Sequence, residues 1–156
     1  MLKMKKGFTL IELLVVIGVL AVLMAGVVAL INPQDKIRQA NDSKIMSDVG
    51  QLATALQSYA AQQANGSYPS AAQGLALLGT AGELQVVPTQ PNGTAYVYTP
   101  GPAGCANTAG SPCTTALVGS PLTALRYTSV AASDTWVWCS ASGRAALTAD
   151  TATCPP

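Results

Sequence analysis

The chain contains no histidine, a single phenylalanine and few charged residues, which make up 10% of its 156 positions. The absence of histidine removes the most common general base and the most common metal ligand. We find no nucleophile elbow and no paired acids in the sequence. The sequence therefore predicts a protein that is not an enzyme and that has no cofactor and no metal site.

The chain also lacks a basic field, because its net charge is only +1. Proteins that bind nucleic acid strongly rely on many lysines and arginines to neutralise phosphates. We therefore expect no strong nucleic-acid binding.

Cysteine is missing from the first two thirds of the chain, and the spacing of the four later cysteines matches no CxxC zinc pattern. An even number of cysteines in an oxidising compartment favours disulfides. Four cysteines allow three connectivities, and we prefer the two local pairings. These pairings are Cys105 with Cys113 and Cys139 with Cys154.

The longest apolar run covers residues 8–31 and contains one charge, Glu12. A helix of that length spans roughly 36 Å, which is enough to cross a hydrocarbon core of about 30 Å. Lys3, Lys5 and Lys6 precede the run and favour an N-terminus on the cytoplasmic side. We expect a single-pass precursor in the cytoplasmic membrane, with the C-terminal part on the outer side.

Neither of two simple alternatives explains this N-terminus. The apolar segment of a secretory signal peptide is shorter, about 7–15 residues. A plain membrane anchor has the right length, but a carboxylate at the centre of a membrane helix costs about 2.5–3.5 kcal/mol. The position of Glu12 near the helix start softens this cost without explaining the residue, so a partner for Glu12 is expected.

The stretch GFTLIE, Gly7 to Glu12, after a short lysine-rich leader, resembles the N-terminal signal of type IV pilins and type II secretion pseudopilins. The resemblance implies that a prepilin peptidase cuts between Gly7 and Phe8, removes residues 1–7 as a leader and methylates Phe8. It also implies that Glu12 neutralises the N-terminal ammonium of a neighbouring copy when the chains polymerise through residues 8–31. The implied partners are further copies of the chain, the peptidase, the membrane and the pilus or secretion assembly machinery.

Elementary physics agrees with that role for Glu12. Phe8 and Glu12 are four residues apart and so lie on one face of a helix. A carboxylate among apolar helices is costly unless it is paired with a cation. Assembly would supply the cation.

Asn32-Pro33 interrupts the apolar helix, because proline disfavours helical geometry at the residue before it. A second helix is predicted over residues 34–63, within a continuation of the N-terminal helix at residues 32–64. Lys44 and Asp48 are spaced for an i,i+4 ion pair. One apolar stripe with steps of three and four runs along this helix: Ile45, Val49, Leu52, Leu56 and Tyr59.

Residues 65–156 are predicted to form a small globular region with an antiparallel sheet that covers this stripe. Strands are predicted at residues 94–99, 125–131, 135–140 and 144–148. Residues 101–121 are rich in Gly, Pro, Ala and Thr and are interpreted as an irregular loop. Trp136 and Trp138 share one strand face, where they either cap the helix stripe, which we favour, or form an exposed binding patch.

The family resemblance continues after the second helix. Asn65, Tyr68, Pro69, Gly74 and Leu75 match the segment of major pseudopilins in which a Tyr-Pro pair precedes a short helix. Residues 86–100 are similar to the proline-rich turn and tyrosine-containing strand of that family. The resemblance thus covers roughly residues 3–100 and implies an α+β, type IV pilin-like fold with a disulfide-linked C-terminal region.

The expected function is that of a structural subunit of a type IV pilus or a type II secretion pseudopilus, located finally in a periplasmic or extracellular fibre. The alternative is a minor pilin or membrane-tethered binding module for adhesion, DNA uptake or cargo recognition. Such a module would use residues 101–121 or an exposed tryptophan face.

Overall fold

The structure, a computed structural model, describes residues 7–106, 111–122, 135–149, 151, 152 and 154, with only the backbone for residues 29–31. The chain divides into two compact units, Met1–Ile37 and Arg38–Pro156, and we call the second the head unit. In chain order the elements are α1 (Leu10–Ile31), α2 (Pro33–Gln62), α3 (Ala76–Thr80), β1 (Val97–Gly101), β2 (Thr115–Pro121), β3 (Thr135–Cys139) and β4 (Arg144–Thr148).

The predicted break at Asn32-Pro33 is confirmed. Asn32 adopts a left-handed conformation with φ 38°, which ends α1, and Pro33 is the first residue of α2. Asparagine tolerates this conformation better than other residues with a side chain, apart from aspartate. The amide Nδ2 of Asn32 donates a 2.6 Å hydrogen bond to Asp35, in the first turn of α2. Asn32 therefore ends α1 and, through its side chain, also stabilises the first turn of α2.

Helix α2 carries the core of the head unit, as its apolar stripe predicts. All five predicted stripe residues are buried, and Val49, Leu52 and Leu56 are completely so. They share one core with residues from β2 and β3, including Ala116, Val118 and Trp138. Burial of aliphatic side chains of this size contributes about 1.5–3 kcal/mol each.

The four described strands form one antiparallel sheet in the order β1-β2-β3-β4. Val118 pairs with Trp138 and Ser120 pairs with Trp136 across the β2–β3 ladder, so these side chains share a sheet face. Trp138 is 4% exposed within the core, and Trp136 is half-buried against it. The interpretation of the tryptophans as the cover of the helix stripe is confirmed, and the exposed binding patch was wrong.

The prediction of an irregular loop over residues 101–121 was wrong, because its last third is the strand β2. The strand was missed because its short apolar run contains Gly119 and Pro121, which usually mark loops. The structure requires glycine at position 119. A Cβ at position 119 would lie 2.6 Å from the carbonyl oxygen of Trp136 and 2.7 Å from Cγ2 of Val137. The glycine therefore marks a close approach of β2 to β3 and not a turn.

The four strand predictions have different outcomes. β3 and β4 lie at the predicted positions, whereas β1 is shifted and covers Val97–Gly101 instead of residues 94–99. The side chain of Asn92 accepts two hydrogen bonds from Thr94, so Thr94 belongs to a turn and the strand begins later in the chain. The predicted strand at residues 125–131 lies outside the described residues, as do residues 1–6 of the predicted leader.

Both preferred disulfides are present, Cys105 with Cys113 and Cys139 with Cys154. The backbone of Cys113 also accepts a 2.8 Å hydrogen bond from the backbone nitrogen of Tyr68. The first disulfide loop thus contacts the segment that leads from α2 to α3.

Candidate assembly site at the N-terminus

Helix α1 begins with a complete capping box formed by Thr9 and Glu12. The backbone nitrogen and the hydroxyl of Thr9 donate to the Glu12 carboxylate at 3.1 and 2.9 Å. The backbone nitrogen of Glu12 donates in return to the Thr9 hydroxyl at 3.3 Å. Two of the backbone N–H groups that every helix leaves unpaired at its start are satisfied in this way.

Thr9 is the site residue that the sequence interpretation missed. The signal was present, because Thr-x-x-Glu before an apolar run is the sequence pattern of a capping box. The interpretation assigned Glu12 to a partner chain alone, whereas the structure gives its carboxylate two donors from its own chain.

A helix cap contributes about 1 kcal/mol. The cost of about 2.5–3.5 kcal/mol for a carboxylate applies to the centre of a membrane helix, and Glu12 lies in the first turn of α1, where the cost is lower. Both Thr9 donors bond to the same carboxylate oxygen, Oε2.

Gly7 and Phe8 lie just before the helix, outside regular secondary structure. Phe8 is 81% exposed, and a Cβ placed on Gly7 would contact nothing within 4 Å. The peptide bond between them is thus uncrowded by the described part of the chain. Glu12 lies about one helical turn after Phe8, so its carboxylate is close to the Gly7–Phe8 peptide bond.

The apolar side chains of α1 have no cover in the described unit, because every residue from 8 to 28 is exposed. A helix that is apolar on all sides needs lipid or other helices around it. The segment Leu10–Val28 is long and apolar enough to cross a membrane, judged by length and composition alone.

The head unit offers a polar cluster of a different kind. The carboxylate of Asp48, which is buried, accepts a 2.7 Å hydrogen bond from the hydroxyl of Tyr96 and forms the predicted ion pair with Lys44. Lys44 also donates to the backbone oxygen of Thr89 at 2.6 Å. Burial and the neighbouring Asp48 raise the pKa of Tyr96 above its usual range. The cluster attaches α2 to the segment before β1, which is a structural role.

No metal site was predicted, and the described residues contain no group of three or more His, Cys, Asp or Glu side chains placed to hold a metal ion. The cysteines of the described part are all in disulfides.

In the structure, an apolar helix with a capped glutamate at its start is followed by a disulfide-linked α+β region. Two comparisons with known proteins find similarity. Residues 2–28 match a family model described as the prokaryotic N-terminal methylation motif. The chain is also similar to type IV major fimbrial proteins named FimA from Dichelobacter nodosus, with 39% identity over 57 residues.

The matched segment covers 36% of this chain and about a third of the length of these relatives. No solved structure matches the chain. The chain thus carries the methylation motif at its N-terminus and is similar, over about a third of its length, to type IV major fimbrial proteins.

Proposed function

We propose that the chain is a structural subunit of a type IV pilus or type II secretion pseudopilus that polymerises through residues 8–31. The observation that carries the proposal is the position of Glu12, a carboxylate at the start of a helix that is otherwise apolar and exposed on all sides. Similarity to major fimbrial proteins supports a fibre as the assembled form.

In this proposal a prepilin peptidase removes residues 1–7 and methylates Phe8. The new ammonium of Phe8 then lies within a helical turn of the carboxylate of Glu12. In the assembled fibre, this ammonium of one copy is the partner for the Glu12 carboxylate of a neighbouring copy. Because an unpaired carboxylate is costly in an apolar setting, copies that supply the cation to each other are favoured over isolated chains.

The remaining parts of the chain have complementary roles in the proposal. Residues 8–31 anchor the precursor in the cytoplasmic membrane and later form the fibre interior, where they exchange lipid for other helices. Residues 32–64 connect this helix to residues 65–156, which form the fibre surface. The N-terminus of the precursor is cytoplasmic, and residues 65–156 lie on the outer side.

Mass spectrometry of the assembled protein tests the processing step. The expected N-terminal peptide begins at Phe8 and carries one methyl group, and residues 1–7 are absent. Fibres built from chains that retain the leader would contradict the proposal. Electron microscopy of cells that produce the chain then distinguishes surface pili from the short fibres of a secretion system.

A minor, adhesive subunit receives less support. Its binding patch was expected at residues 101–121 or at Trp136 and Trp138, and both tryptophan side chains belong to or pack against the core. The abundance of the chain in purified fibres separates a major subunit from a minor one.

A further inference from the structure

Two turns in the head unit are built from almost the same four residues, Gln-x-Asn-Gly, at residues 63–66 and 90–93. In each turn the glycine nitrogen donates to the glutamine carbonyl oxygen, at 2.9 Å in the first turn and 2.8 Å in the second. Both glycines have left-handed conformations, with φ 60° at Gly66 and 82° at Gly93. The backbones of the two turns are therefore closely matched.

An asparagine followed by glycine can deamidate, because the backbone nitrogen of the glycine can attack the asparagine side chain. The glycine nitrogen loses its proton to water or hydroxide and bonds to the Cγ atom of the asparagine, and the side-chain nitrogen leaves as ammonia. Water then opens the resulting succinimide ring at one of its two carbonyl groups, which gives aspartate or isoaspartate. Both turns leave room for this reaction, since a Cβ at Gly66 or Gly93 would contact nothing within 4 Å.

The side chains of the two asparagines differ. Oδ1 of Asn92 accepts hydrogen bonds from the backbone nitrogen of Thr94 at 3.0 Å and from the Thr94 hydroxyl at 2.7 Å. Pro91 precedes Asn92 and fixes one backbone angle of that turn. Within the described part of the chain, no hydrogen bond holds the exposed side chain of Asn65, and Ala64 precedes it.

We propose that Asn65 is a site of spontaneous deamidation and that Asn92 is protected by its two hydrogen bonds to Thr94. The bonded side chain of Asn92 must be released before its Cγ can turn toward the glycine nitrogen. The side chain of Asn65 reaches that geometry without breaking a bond.

Deamidation at Asn65 changes the head unit in two ways. It adds a negative charge just beyond the C-terminus of α2, where the helix dipole disfavours anions. Isoaspartate also lengthens the backbone two residues before Ser67, which is buried, and three before Tyr68, whose nitrogen binds the carbonyl of Cys113.

The test follows both asparagines in the same sample. Purified full-length chain in detergent is incubated in mildly alkaline buffer, and proteolytic peptides are analysed by mass spectrometry over time, with separation of aspartate from isoaspartate. The deamidation rate at Asn65 is expected to exceed that at Asn92 by about thirtyfold, the factor expected from two neutral hydrogen bonds of ordinary net strength. Equal rates, or a faster rate at Asn92, would overturn the proposal.

A pair of variants tests the protection itself. Thr94→Val removes the hydroxyl donor and is expected to raise the rate at Asn92 several-fold without changing the rate at Asn65. Thr94→Ser keeps the hydroxyl and is expected to leave both rates near those of the unmodified sequence. If Thr94→Val leaves the rate at Asn92 unchanged, the hydroxyl bond does not protect it and the proposal fails.

Discussion

The hydroxyl of Tyr96 donates a 2.7 Å hydrogen bond to the carboxylate of Asp48, and both side chains are buried in the head unit. Tyr98, two residues later in the chain, donates a bond of similar length, 2.8 Å, to the backbone oxygen of Pro69. The two bonds differ in the charge of the acceptor. They provide a matched pair for measuring what a buried charged acceptor contributes to this fold.

Tyr96→Phe is expected to lower the free energy of unfolding of the head unit by about 1.5–3 kcal/mol, because it removes a hydrogen bond to a charged group and leaves Asp48 with Lys44. Tyr98→Phe removes a bond to a neutral carbonyl and is expected to cost about 0.5–1.5 kcal/mol. Denaturant titration followed by tryptophan fluorescence measures both. A larger loss for Tyr98→Phe would show that the Asp48 cluster does not stabilise the fold as described.

Alkaline pH is expected to destabilise the head unit. Burial raises the pKa of both Tyr96 and Tyr98 above the usual range in the folded chain. The unfolded chain therefore loses these protons first. The stabilisation is complete below the ordinary tyrosine pKa of about 10 and is lost progressively as the pH rises above it.

Thermal melting at a series of pH values checks this dependence. The melting temperature should fall above about pH 10 in the unmodified chain. The fall should be clearly smaller in a variant carrying both Tyr96→Phe and Tyr98→Phe. If the melting temperature of that variant falls at alkaline pH as much as that of the unmodified chain, groups other than these two tyrosines cause the destabilisation.

Two glycine substitutions are expected to have opposite effects. Gly119→Ala places a Cβ 2.6 Å from the carbonyl oxygen of Trp136 and 2.7 Å from Cγ2 of Val137, and overpacking of this kind costs about 1–3 kcal/mol. Gly50→Ala lies in α2 with nothing within 4 Å of the new Cβ, and alanine stabilises a helix interior by about 0.5–1 kcal/mol relative to glycine. Denaturant titration of both variants tests the signs, and a neutral Gly119→Ala would contradict the close approach of β2 and β3.

Substitutions at the N-terminus separate the capping role of Glu12 from its charge. Glu12→Gln keeps an acceptor that completes a capping box but removes the negative charge. Thr9→Ala removes the cap, at a cost of about 0.5–2 kcal/mol, but keeps the charge. If the charge pairs with an ammonium during assembly, Glu12→Gln abolishes fibres and Thr9→Ala retains them.

Shearing of fibres from cells, followed by immunoblotting of fibre and membrane fractions, measures this prediction. Glu12→Val serves as the variant without cap or charge and is expected to be inserted and cleaved but not assembled. Abundant fibres from Glu12→Gln would show that capping alone accounts for the glutamate.

Most of the correct predictions of structure rest on helical periodicity. The stripe from Ile45 to Tyr59 is buried as expected, because five apolar residues at steps of three and four can share only one helix face. The end of α1 was equally predictable, since the Asn32-Pro33 pair has a strong local effect.

Strand β2 could not be predicted in the same way. Its seven residues, Thr115–Pro121, include a glycine and a proline, and both usually mark loops. What makes Gly119 a strand residue is the backbone of Trp136 against it, a contact between positions 17 residues apart that no local pattern encodes. Thr9, in contrast, was recognisable from its spacing to Glu12.

The interruption at Asn32 also has a mechanical meaning. The i,i+4 ladder of hydrogen bonds is not continuous across Pro33, which has no N–H. Fraying that starts at one side of this joint therefore does not propagate into the other. Heat or tension should unravel α1 and α2 as separate cooperative segments.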